Sequence, residues 1–534
     1  MDIFGKQFID GKREASSGIT FVACDAVSGE TLPHKISTAT EAEVRSAAEA
    51  AARAYPVYRK TGLEERAGFL EAIAKEIDSL DDSFISMVMA ETGLLEARVR
   101  GERARTSNQL RLFAAVVRRG DFLGARIDSA LPQREPLPRP DIRQYRIGLG
   151  PVAVFGAGNF PLAFSVAGGD TASALAAGCP VIVKAHSGHP VTSELVGQAI
   201  VRAVETCRMP SGVFGMLFGD NSGEPLVLAR EIKAIAFTGS LRGGRALNEI
   251  AARRPEPIPM FAEMSSINPV IVLPGALRER SQAIATGVAA SVTLGAGQFC
   301  TNPGLIIGFS GDLFEHFCQQ LGEEMGKRDP SVMLNRTILA NYQDGVTRMA
   351  QISGVELLAS GPSDLDRAQT CLFRASATLL KKTGHPLEAE VFGPATVVVA
   401  LKDLQELLDL APRLNGHLTA SVFAGSADAE SCGPLVDALE PRVGRIILND
   451  YPTGVEVCDA MVHGGPYPAS SDSRFTSVGS LSIDRFLRPV CYQGYPDSML
   501  PSALQDKNPL GIRRLVNGCW TSDPICGVQL AENR

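Results

Sequence analysis

The stretch between residues 151 and 252 alternates short apolar segments with longer mixed ones, and this alternation restricts the fold more than any other feature. Four of its segments have the continuous apolar character of buried strands: 152–155, 180–184, 213–218 and 234–237. The segments between and after them predict helices: 161–177, 191–207, 224–230 and 244–252. Strands that are apolar on both faces and alternate with helices are typical of a parallel sheet covered on both sides. The pattern therefore predicts an α/β protein with a doubly wound parallel sheet.

The alternation resumes after residue 281, which predicts a second α/β unit. Its strand candidates are 305–309, 395–401, 418–424 and 445–448. Ahead of the first unit, three segments predict helices: 41–55, 63–80 and 82–91. Gly93 follows the last of them at a C-cap position. A proline-rich link at 132–140 precedes 142–147, which we interpret as a strand of an exposed arm. The tail at 489–534 has no clear periodicity, so we expect it to be irregular.

Charge and hydropathy exclude several classes of protein. The 534 residues carry a formal charge of -7 without a block of like charge, so we expect no nucleic acid partner. The longest uncharged run, 147–169, is interrupted by glycines and prolines and does not have the pattern of a membrane span. Residues 1–13 are charged throughout and lack the apolar core of a signal peptide. These features predict a cytoplasmic protein without membrane contact.

The 11 cysteines are scattered singly along the chain. None forms a C-x-x-C pair, and no cluster of cysteine and histidine has zinc spacing, so we expect no metal site. An odd number of cysteines without a pairing pattern suits a reducing compartment, where most buried thiols are inert. A reactive cysteine must therefore be recognised from its surroundings.

Two glycine-rich turns follow predicted strands and open predicted helices. Gly156-Ala-Gly-Asn-Phe-Pro161 resembles a phosphate-binding turn, but proline stands where the third glycine of G-x-G-x-x-G is expected. Phe237-Thr-Gly-Ser240, followed by Gly243 and Gly244, leaves backbone N–H groups free at a helix start, which suits a pyrophosphate. Both turns are candidate nucleotide sites, and a turn required by packing alone is the alternative for each.

Glu263 and Cys300 have settings that favour acid–base or nucleophilic chemistry. Glu263 closes a predicted strand among small apolar residues, where burial raises the pKa of a carboxyl group toward that of a general base. An exposed loop acid is the alternative interpretation. Cys300 follows a glycine-rich bend that permits close approach to a substrate and leaves amide donors free. None of the seven histidines lies near Cys300 in sequence. Folding can still form a cysteine–histidine pair, so a cysteine hydrolase stays open.

Taken together, the motifs resemble those of the aldehyde dehydrogenase superfamily over nearly the whole chain and in the same order. The matching segments are Asn159-Phe-Pro161, Lys184, Phe237-Thr-Gly-Ser240, Glu263, Gln298-Phe-Cys300 and Glu390-Val-Phe-Gly-Pro394. The resemblance implies an α/β fold with a Rossmann-like cofactor domain, an α/β catalytic domain and a small oligomerisation arm. We expect the NAD(P)-binding domain at 1–131 and 152–263 and the catalytic domain at 264–450. The arm and C-terminal tail are expected at 132–151 and 480–534.

The resemblance also implies a role for each matching residue. Cys300 is expected to attack the aldehyde carbon, while the Asn159 amide and the Cys300 backbone N–H hold the resulting oxyanion. Hydride transfer to a nicotinamide cofactor then gives a thioester, and Glu263 is expected to activate the water that hydrolyses it. The expected cofactor contacts are Lys184, Ser187, Gly239, Ser240, Gly244, Glu390 and Phe392. The implied partners are a small aldehyde and further copies of this chain, in a homodimer or homotetramer.

One departure from the family bears on the choice of cofactor. Members that prefer NAD usually carry a glutamate three residues after the strand lysine, and Ser187 stands in that place here. A carboxylate there repels a 2′-phosphate, whereas Ser187 tolerates it and Lys184 supplies positive charge. We therefore predict a preference for NADP, with NAD also usable. Arg242 is interpreted as a solvated helix-start residue, and assistance in phosphate binding is the alternative.

The C-terminal part narrows the expected substrate. Three of its segments resemble the branch that oxidises α-ketoglutaric semialdehyde (2,5-dioxovalerate) to 2-oxoglutarate: 463–468, 476–479 and 485–493. That branch is related to a bacterial NADP-dependent fatty aldehyde dehydrogenase, so a medium- or long-chain aldehyde is the alternative substrate. A dicarboxylate product needs a cation for its distal carboxylate, and the sequence does not identify that cation.

The expected substrate pocket is lined by Phe160, Phe164, Phe299, Thr301 and the loop 449–455, with ordinary packing as the alternative for each. Two other functions are compatible with a reactive cysteine, namely a cofactor-free cysteine hydrolase and a non-catalytic relative. Lys184 and the turn at 237–240 argue against the hydrolase. The joint presence of Cys300, Glu263 and Asn159 argues against the non-catalytic relative.

Overall fold

The computed structural model describes residues 2–15, 18–382, 384 and 386–525. Its strands, in chain order, are β1 Gln7–Ile9, β2 Lys12–Glu14, β3 Thr20–Cys24, β4 Thr31–Ser37, β5 Arg126–Asp128, β6 Ile142–Gly148, β7 Val152–Phe155, β8 Val181–Lys184, β9 Phe214–Leu217, β10 Ala234–Thr238, β11 Met260–Glu263, β12 Val270–Val272, β13 Leu305–Phe309, β14 Val355–Ser360, β15 Cys371–Ala375, β16 Ala395–Leu401, β17 His417–Phe423, β18 Val443–Leu448, β19 Leu487–Gln493, β20 Arg514–Val516 and β21 Cys519–Thr521.

The α-helices of the same described ranges are α1 Glu41–Tyr58, α2 Leu63–Asp78, α3 Asp82–Thr92, α4 Glu96–Arg119, α5 Gly169–Ala176, α6 Pro190–Thr206, α7 Gly223–Leu228, α8 Leu241–Arg253, α9 Pro274–Thr293, α10 Asp312–Gly326, α11 Arg336–Ala350, α12 Ala377–Leu380, α13 Leu404–Leu410 and α14 Ala429–Leu439. Gly93 ends α3 in a left-handed conformation, with φ of 66°, as predicted. Among these described helices, none is both long and apolar enough to cross a bilayer.

Seven strands form the N-terminal sheet, in the order β11-β10-β7-β8-β9-β1-β2. The first five of these strands are parallel, and β1 and β2 add an antiparallel edge. Alternate residues of β8 face opposite sides: Val181 and Val183 pack with α2, α4 and α6, whereas Ile182 packs with α1. The strands are apolar on both faces because helices cover both, which confirms the predicted doubly wound sheet.

The carboxyl ends of the parallel strands in this sheet meet at one edge. The register pairs Phe155 with Lys184 on one side and with Phe237 on the other, and it pairs Thr238 with Glu263. Ligand sites of open α/β sheets lie at such an edge. The strand lysine, the glycine–serine turn and the candidate base are therefore neighbours in space.

The C-terminal sheet has the order β14-β15-β16-β13-β12-β17-β18 and is parallel except for β14. The helices α9 and α10 pack on one face, and α11, α13 and α14 pack on the other. The four strands predicted after residue 281 all lie in this sheet, so the prediction of a second α/β unit is confirmed.

A third sheet, the arm sheet, has the order β19-β6-β5-β20-β21. The predicted arm strand is confirmed as β6, which pairs with β19 from Gly148 opposite Leu487 to Ile142 opposite Gln493. The expectation of an irregular tail was wrong, because β19, β20 and β21 lie within it. The exposed, proline-containing β19 and the three-residue strands β20 and β21 are too irregular or too short to show a period in the sequence.

The predicted helix at 161–177 was wrong in its first half, because α5 begins only at Gly169. The preceding residues form turns held by a side chain from α4. Glu102 Oε1 accepts hydrogen bonds from the N–H groups of Leu162 and Ala163 at 2.9 and 3.0 Å. Because these two amides bond to the distant Glu102 carboxylate, they do not start a helix, and the chain forms a compact turn instead. This turn places residues 156–164 at the carboxyl edge of the N-terminal sheet.

Candidate active site

A cleft of about 1190 Å³ lies at the carboxyl edge of the N-terminal sheet, against loops of the C-terminal sheet. Its lining includes most of the predicted site residues: Asn159, Phe160, Phe164, Lys184, Gly239, Ser240, Glu263, Cys300, Glu390 and Phe392. The other predicted residues are absent from the lining: Ser187, Gly244, Phe299, Thr301 and all of the loop 449–455. The structure thus brings together motifs that lie more than 200 residues apart in the chain.

The loop that carries Cys300 is shaped by three left-handed residues after α9. Gly295, Ala296 and Gly297 have φ values of 56°, 59° and 67°. A Cβ on Gly297 would lie 2.3 Å from the carbonyl of Gly393, so only glycine permits this close approach. Asn268 fixes the far side, because its Nδ2 donates to the carbonyl oxygens of Cys300 at 2.8 Å and of Asn302 at 2.9 Å. The nucleophile candidate is therefore held from both sides.

Cys300 belongs to a side-chain cluster that includes a histidine from the C-terminal part. The Nε2 atom of His463 lies 3.4 Å from Cys300 Sγ and 3.0 Å from Glu263 Oε1. The Ser477 hydroxyl donates to the other oxygen of Glu263. We call these four residues, Cys300, His463, Glu263 and Ser477, the cysteine cluster. His463 and Ser477 were not identified from the sequence as site residues.

A folded-back segment explains how His463 and Ser477 reach this place. Residues 463–478 run beside β11, where Met264 N donates to Ala469 O at 2.8 Å. Within the segment, His463 N donates to Thr476 Oγ1 at 2.8 Å, and Ser477 N donates to His463 O at 2.8 Å. The motifs 463–468 and 476–479, which resemble one branch of the superfamily, are thus the parts of the chain that complete the cysteine cluster.

The two acidic groups of the cysteine cluster, the Cys300 thiol and the Glu263 carboxyl, have pKa values shifted in opposite directions. Burial raises the pKa of the Cys300 thiol well above its usual range, and the negative charge of Glu263 adds to this effect. Burial also acts to raise the pKa of Glu263, but the neighbouring His463 and the hydrogen bond from Ser477 outweigh it and lower the pKa. The expectation of a raised pKa for Glu263 was wrong because it omitted these partners. Glu263 is therefore a carboxylate and Cys300 a neutral thiol at neutral pH.

The donor atoms of Glu263, Cys300 and His463 all lie within 4.8 Å of one another, as ligands of one cation would. The three atoms are also suited to proton transfer from the thiol to the imidazole or the carboxylate. The prediction that this chain holds no metal stays a prediction.

Asn159 lies beside the Cys300 loop, where an oxyanion donor is needed. One N–H of its amide donates to Gln298 O at 2.9 Å. A side-chain amide carries two N–H donors, so the second N–H stays available toward the cleft. This geometry is compatible with the predicted oxyanion role of Asn159.

Five of the predicted dinucleotide contacts line the same cleft, namely Lys184, Gly239, Ser240, Glu390 and Phe392. Ser240 caps α8, with its Oγ accepting from Gly243 N at 3.2 Å, and the N-terminus of α8 faces the cleft. Gly244 lies behind this surface, where a Cβ would meet Met264 Sδ at 2.6 Å. Glu390 accepts a hydrogen bond from Ser265 Oγ at 2.7 Å, and burial raises the pKa of Glu390 to about 7.

An acid that was not identified from the sequence lies beside Lys184. Asp220 Oδ1 accepts a hydrogen bond from Lys184 Nζ at 2.5 Å, and Ser187 is near enough to contribute to a lowered pKa of Asp220. The Asp220 side chain is largely exposed, and the positive charge of Lys184 holds its pKa below the usual carboxyl range. His186 adds no charge, because burial lowers its pKa to about 3. A carboxylate therefore stands next to the two residues on which the NADP prediction depends. Arg242 is exposed at the cleft, as its interpretation as a solvated residue requires.

Aromatic rings form the wall of the cleft next to Cys300. The Phe160 ring lies 5.1 Å from that of Phe164 and 5.4 Å from that of Phe299, edge to face in both cases. Val455, from the predicted loop 449–455, packs into the same apolar group. Thr301 is only 1% exposed and lies behind the cleft surface. Phe160 and Phe164 thus form an apolar wall of the cleft, and Val455 packs with them.

Comparisons with known proteins agree with this geometry. The sequence profile of the aldehyde dehydrogenase family matches residues 14–477. The chain is 50% identical over 521 residues to alpha-ketoglutaric semialdehyde dehydrogenase of Acinetobacter baylyi, covering 97% of this chain and 99% of that protein. It is 49% identical over 524 residues to alpha-ketoglutaric semialdehyde dehydrogenase 2 of Azospirillum brasilense, with the same coverage of 97% and 99%.

Solved structures share the fold. An NADP dependent enzyme of E. coli superposes with a TM-score of 0.77 at 20% identity, covering 92% of this chain and 98% of that one. Betaine aldehyde dehydrogenase of Staphylococcus aureus, a double mutant in complex with NAD+, superposes with a TM-score of 0.78 at 20% identity, covering 92% and 97%. These likenesses confirm the predicted α/β fold with its Rossmann-like cofactor sheet.

Proposed function

This chain belongs to the aldehyde dehydrogenase family, and we propose that it oxidises 2,5-dioxopentanoate to 2-oxoglutarate. The resemblance to an NAD(P)-dependent aldehyde dehydrogenase is thereby confirmed. One observation supports this choice of substrate. Two relatives that share about half of their residues with this chain, over nearly its full length, are both alpha-ketoglutaric semialdehyde dehydrogenases. The cysteine cluster supplies the chemistry that such an oxidation requires, and the cleft beside it is large enough for substrate and dinucleotide together.

In the proposed mechanism Cys300 Sγ attacks the aldehyde carbon. Its proton passes to Nε2 of His463, which lies 3.4 Å away, and the charge left on His463 is balanced by Glu263 at 3.0 Å. The free N–H of Asn159 and the backbone N–H of Cys300 hold the oxygen of the thiohemiacetal. A nicotinamide dinucleotide held in the cleft would supply the hydride acceptor for this intermediate.

Glu263 then acts as the base that activates water against the Cys300 thioester. Its carboxylate is ionised at neutral pH because its pKa is lowered, and Ser477 fixes the orientation of one oxygen. The other oxygen faces His463 and the thiol sulfur, so a water at that place lies next to the thioester carbon. The first half-reaction therefore uses His463 as its proton acceptor, and the second uses Glu263.

The residues that would hold the dinucleotide fit that role in charge and shape. The N-terminus of α8 offers backbone N–H groups to a pyrophosphate, and Lys184 lies at the adenosine side. Glu390 and Phe392 line the same cleft, where they would contact the nicotinamide end of the dinucleotide. A preference for NADP over NAD stays a prediction that rests on Ser187, and Asp220 opposes it by placing a carboxylate beside Ser187.

We also propose the domain boundaries, the oligomer and the cytoplasmic location as they were expected from the sequence. Exposed apolar side chains on the arm sheet and its following loop support self-association, namely Tyr495, Met499 and Trp520, which are 46%, 66% and 52% exposed. Light scattering of the purified protein tests whether the assembly is a homodimer or a homotetramer.

A substrate panel tests the proposal. The purified protein is assayed with 2,5-dioxopentanoate, pentanal and a long-chain aldehyde, following the absorbance of the reduced dinucleotide and measuring 2-oxoglutarate in a coupled assay. We expect kcat/KM to be highest for 2,5-dioxopentanoate and activity to disappear in Cys300→Ala. The apolar wall of Phe160 and Phe164 keeps a fatty aldehyde as second candidate. A higher kcat/KM for the long-chain aldehyde would favour it, and turnover by Cys300→Ala would contradict the mechanism.

A further inference from the structure

A guanidinium group with unused donors lies behind the aromatic wall of the cleft. Arg105 projects from α4, and its Nη1 donates to Val455 O at 2.7 Å. Its Nε and Nη2 atoms are buried and have no acceptor among the described residues. The centre of the guanidinium lies 5.5 Å from the centroid of the Phe164 ring. Leaving two buried charged donors unpaired is costly, so this pair requires an explanation such as a bound water, ion or ligand.

The unused atoms of Arg105 form one edge of the guanidinium. The N–H bonds of Nε and Nη2 are parallel, and this two-donor fork matches the two oxygens of a carboxylate. The contact with Val455 uses Nη1 and leaves the fork intact. The side chain is thus already oriented for a bidentate anion.

Neighbouring acids do not occupy this fork. Glu102 accepts from the backbone of Leu162 and Ala163 with Oε1 and from Arg98 with Oε2. Glu456 accepts from Val457 N with Oε1 at 3.0 Å. Both acids are near enough for their charges to act on Arg105, but neither is hydrogen-bonded to it.

Two other arginines near the cleft differ from Arg105 in this respect. The guanidinium of Arg98 lies 4.4 and 4.8 Å from the ring centroids of Phe160 and Phe299. Its Nε and Nη2 atoms both donate to Glu102, so its own fork is already occupied. Arg445, on β18, donates with both Nη atoms to Gly454 O and Pro452 O and keeps only Nε unpaired. Arg105 is therefore the member of this set with a complete open fork.

Phe164 connects Arg105 to the cysteine cluster through a series of contacts. The Arg105 guanidinium lies 5.5 Å from the Phe164 ring, which lies 6.3 Å from the ring of His463, and His463 itself contacts Cys300. Arg105 and Arg445 are both near enough for their charges to act on Cys300 when it is ionised. A five-carbon chain spans about 5 Å from its aldehyde carbon to its carboxylate carbon, which is the scale of one aromatic ring.

We propose that the Nε/Nη2 fork of Arg105 binds the distal carboxylate of the semialdehyde, with Nε of Arg445 as a further donor. This inference rests on the proposed function and names the residue that selects the substrate. The substrate lies along Phe164, with its aldehyde at Cys300 and its carboxylate in the fork. The loop 452–455, which both arginines hold, fixes the distance between the two ends.

The experiment compares Arg105→Met and Arg105→Lys with the unchanged protein on 2,5-dioxopentanoate and on pentanal. Arg105→Met keeps the apolar stem and removes the fork, so we expect kcat/KM for 2,5-dioxopentanoate to fall about 100-fold, mainly through KM. For pentanal we expect a fall of less than about three-fold, since it has no distal charge. Arg105→Lys keeps the charge without the fork, so we expect an intermediate loss.

Arg111→Met is the matched control, because Arg111 lies on the same helix and pairs with Asp78 at the surface. We expect it to leave the ratio of the two kcat/KM values unchanged. Competitive inhibition by glutarate is a second readout, and its inhibition constant should rise in Arg105→Met. Pentanal turnover and thermal unfolding show whether each variant is folded. If Arg105→Met does not fold, Arg105→Lys tests the inference in its place.

The outcomes separate the inference from the function on which it rests. If the unchanged protein prefers 2,5-dioxopentanoate to pentanal and both Arg105 variants keep that preference, the role of Arg105 is overturned and the proposed function stands. If the unchanged protein has no preference for 2,5-dioxopentanoate, the proposed function fails and the inference fails with it.

Discussion

Nε2 of His463 lies 3.4 Å from Sγ of Cys300, although 163 residues separate the two in the chain. The same nitrogen lies 3.0 Å from Glu263, so one imidazole connects the nucleophile to the base. A cysteine buried next to a carboxylate holds its proton tightly. The buried imidazole of His463 provides the acceptor that such a thiol requires before it can attack a carbonyl carbon.

We predict that His463→Ala lowers kcat for 2,5-dioxopentanoate about 100-fold, because the proton of Cys300 loses its neighbouring acceptor. Pre-steady-state measurement of the first turnover should show the loss in the step that forms the thioester. His316→Ala is the control, since His316 lies on the surface of α10 and bonds to Gln320. An unchanged first-turnover rate in His463→Ala would show that another group accepts the proton of Cys300.

The pH dependence of Cys300 follows from its raised pKa. A group with a raised pKa is protonated up to higher pH, so the rate of alkylation by iodoacetamide in the absence of dinucleotide should keep rising through the alkaline range. Glu263→Gln removes the adjacent negative charge, which lowers the pKa of Cys300, and alkylation at pH 8 should become several-fold faster. A rate that levels off near neutral pH would contradict the raised pKa.

The same substitution, Glu263→Gln, should slow steady-state turnover at least about 100-fold while a first burst of reduced dinucleotide remains. The carboxylate is needed for thioester hydrolysis, whereas attack by Cys300 still has His463 as acceptor. Because the pKa of Glu263 is lowered, the unchanged protein should lose the hydrolysis step only as pH falls through the acidic range below the usual carboxyl value. Loss of the burst would instead show that Glu263 is required for attack.

Part of this site was predictable from the sequence because its members lie in local motifs. Cys300, Glu263, Asn159 and Lys184 each occur at the end of a strand or in a glycine turn, and the α/β pattern places such positions at one edge. His463 and Arg105 were not identified as site residues because neither has a local signal. His463 contacts Cys300 across 163 residues, and Arg105 contacts Val455 across 350.

The wrong predictions of secondary structure also arise from contacts between segments that are distant in the sequence. The turns at 161–168 look helical by composition, but Glu102 from another helix captures the two amides at their start. The strand β19 depends on β6, which lies more than 300 residues earlier in the chain. Local periodicity predicts elements that bury one face or both, and it does not report a partner that is supplied by a distant segment.

Asp220 gives a test of cofactor choice. We predict that Asp220→Asn raises the ratio of kcat/KM for NADP to that for NAD by about ten-fold, because it removes a carboxylate that would repel a 2′-phosphate beside Ser187. Titration of binding by fluorescence of the reduced dinucleotides should give the same shift. Glu224→Gln, an exposed acid on the nearby α7, is the control. A ratio that does not change would show that the Asp220 carboxylate lies away from the bound phosphate.

Gly297 tests how strictly the Cys300 loop is shaped. In Gly297→Ala the new Cβ would lie 2.3 Å from the carbonyl of Gly393 at a φ of 67°, so both the clash and the left-handed backbone are unfavourable. We expect the free energy of unfolding to fall by more than about 2 kcal/mol and kcat to fall with it, because the loop must move to relieve the contact. Gly101→Ala, in open space within α4, should stabilise the protein by about 0.5–1 kcal/mol. Urea denaturation measures both changes, and equal stability of Gly297→Ala and the unchanged protein would show that the loop accommodates a side chain there.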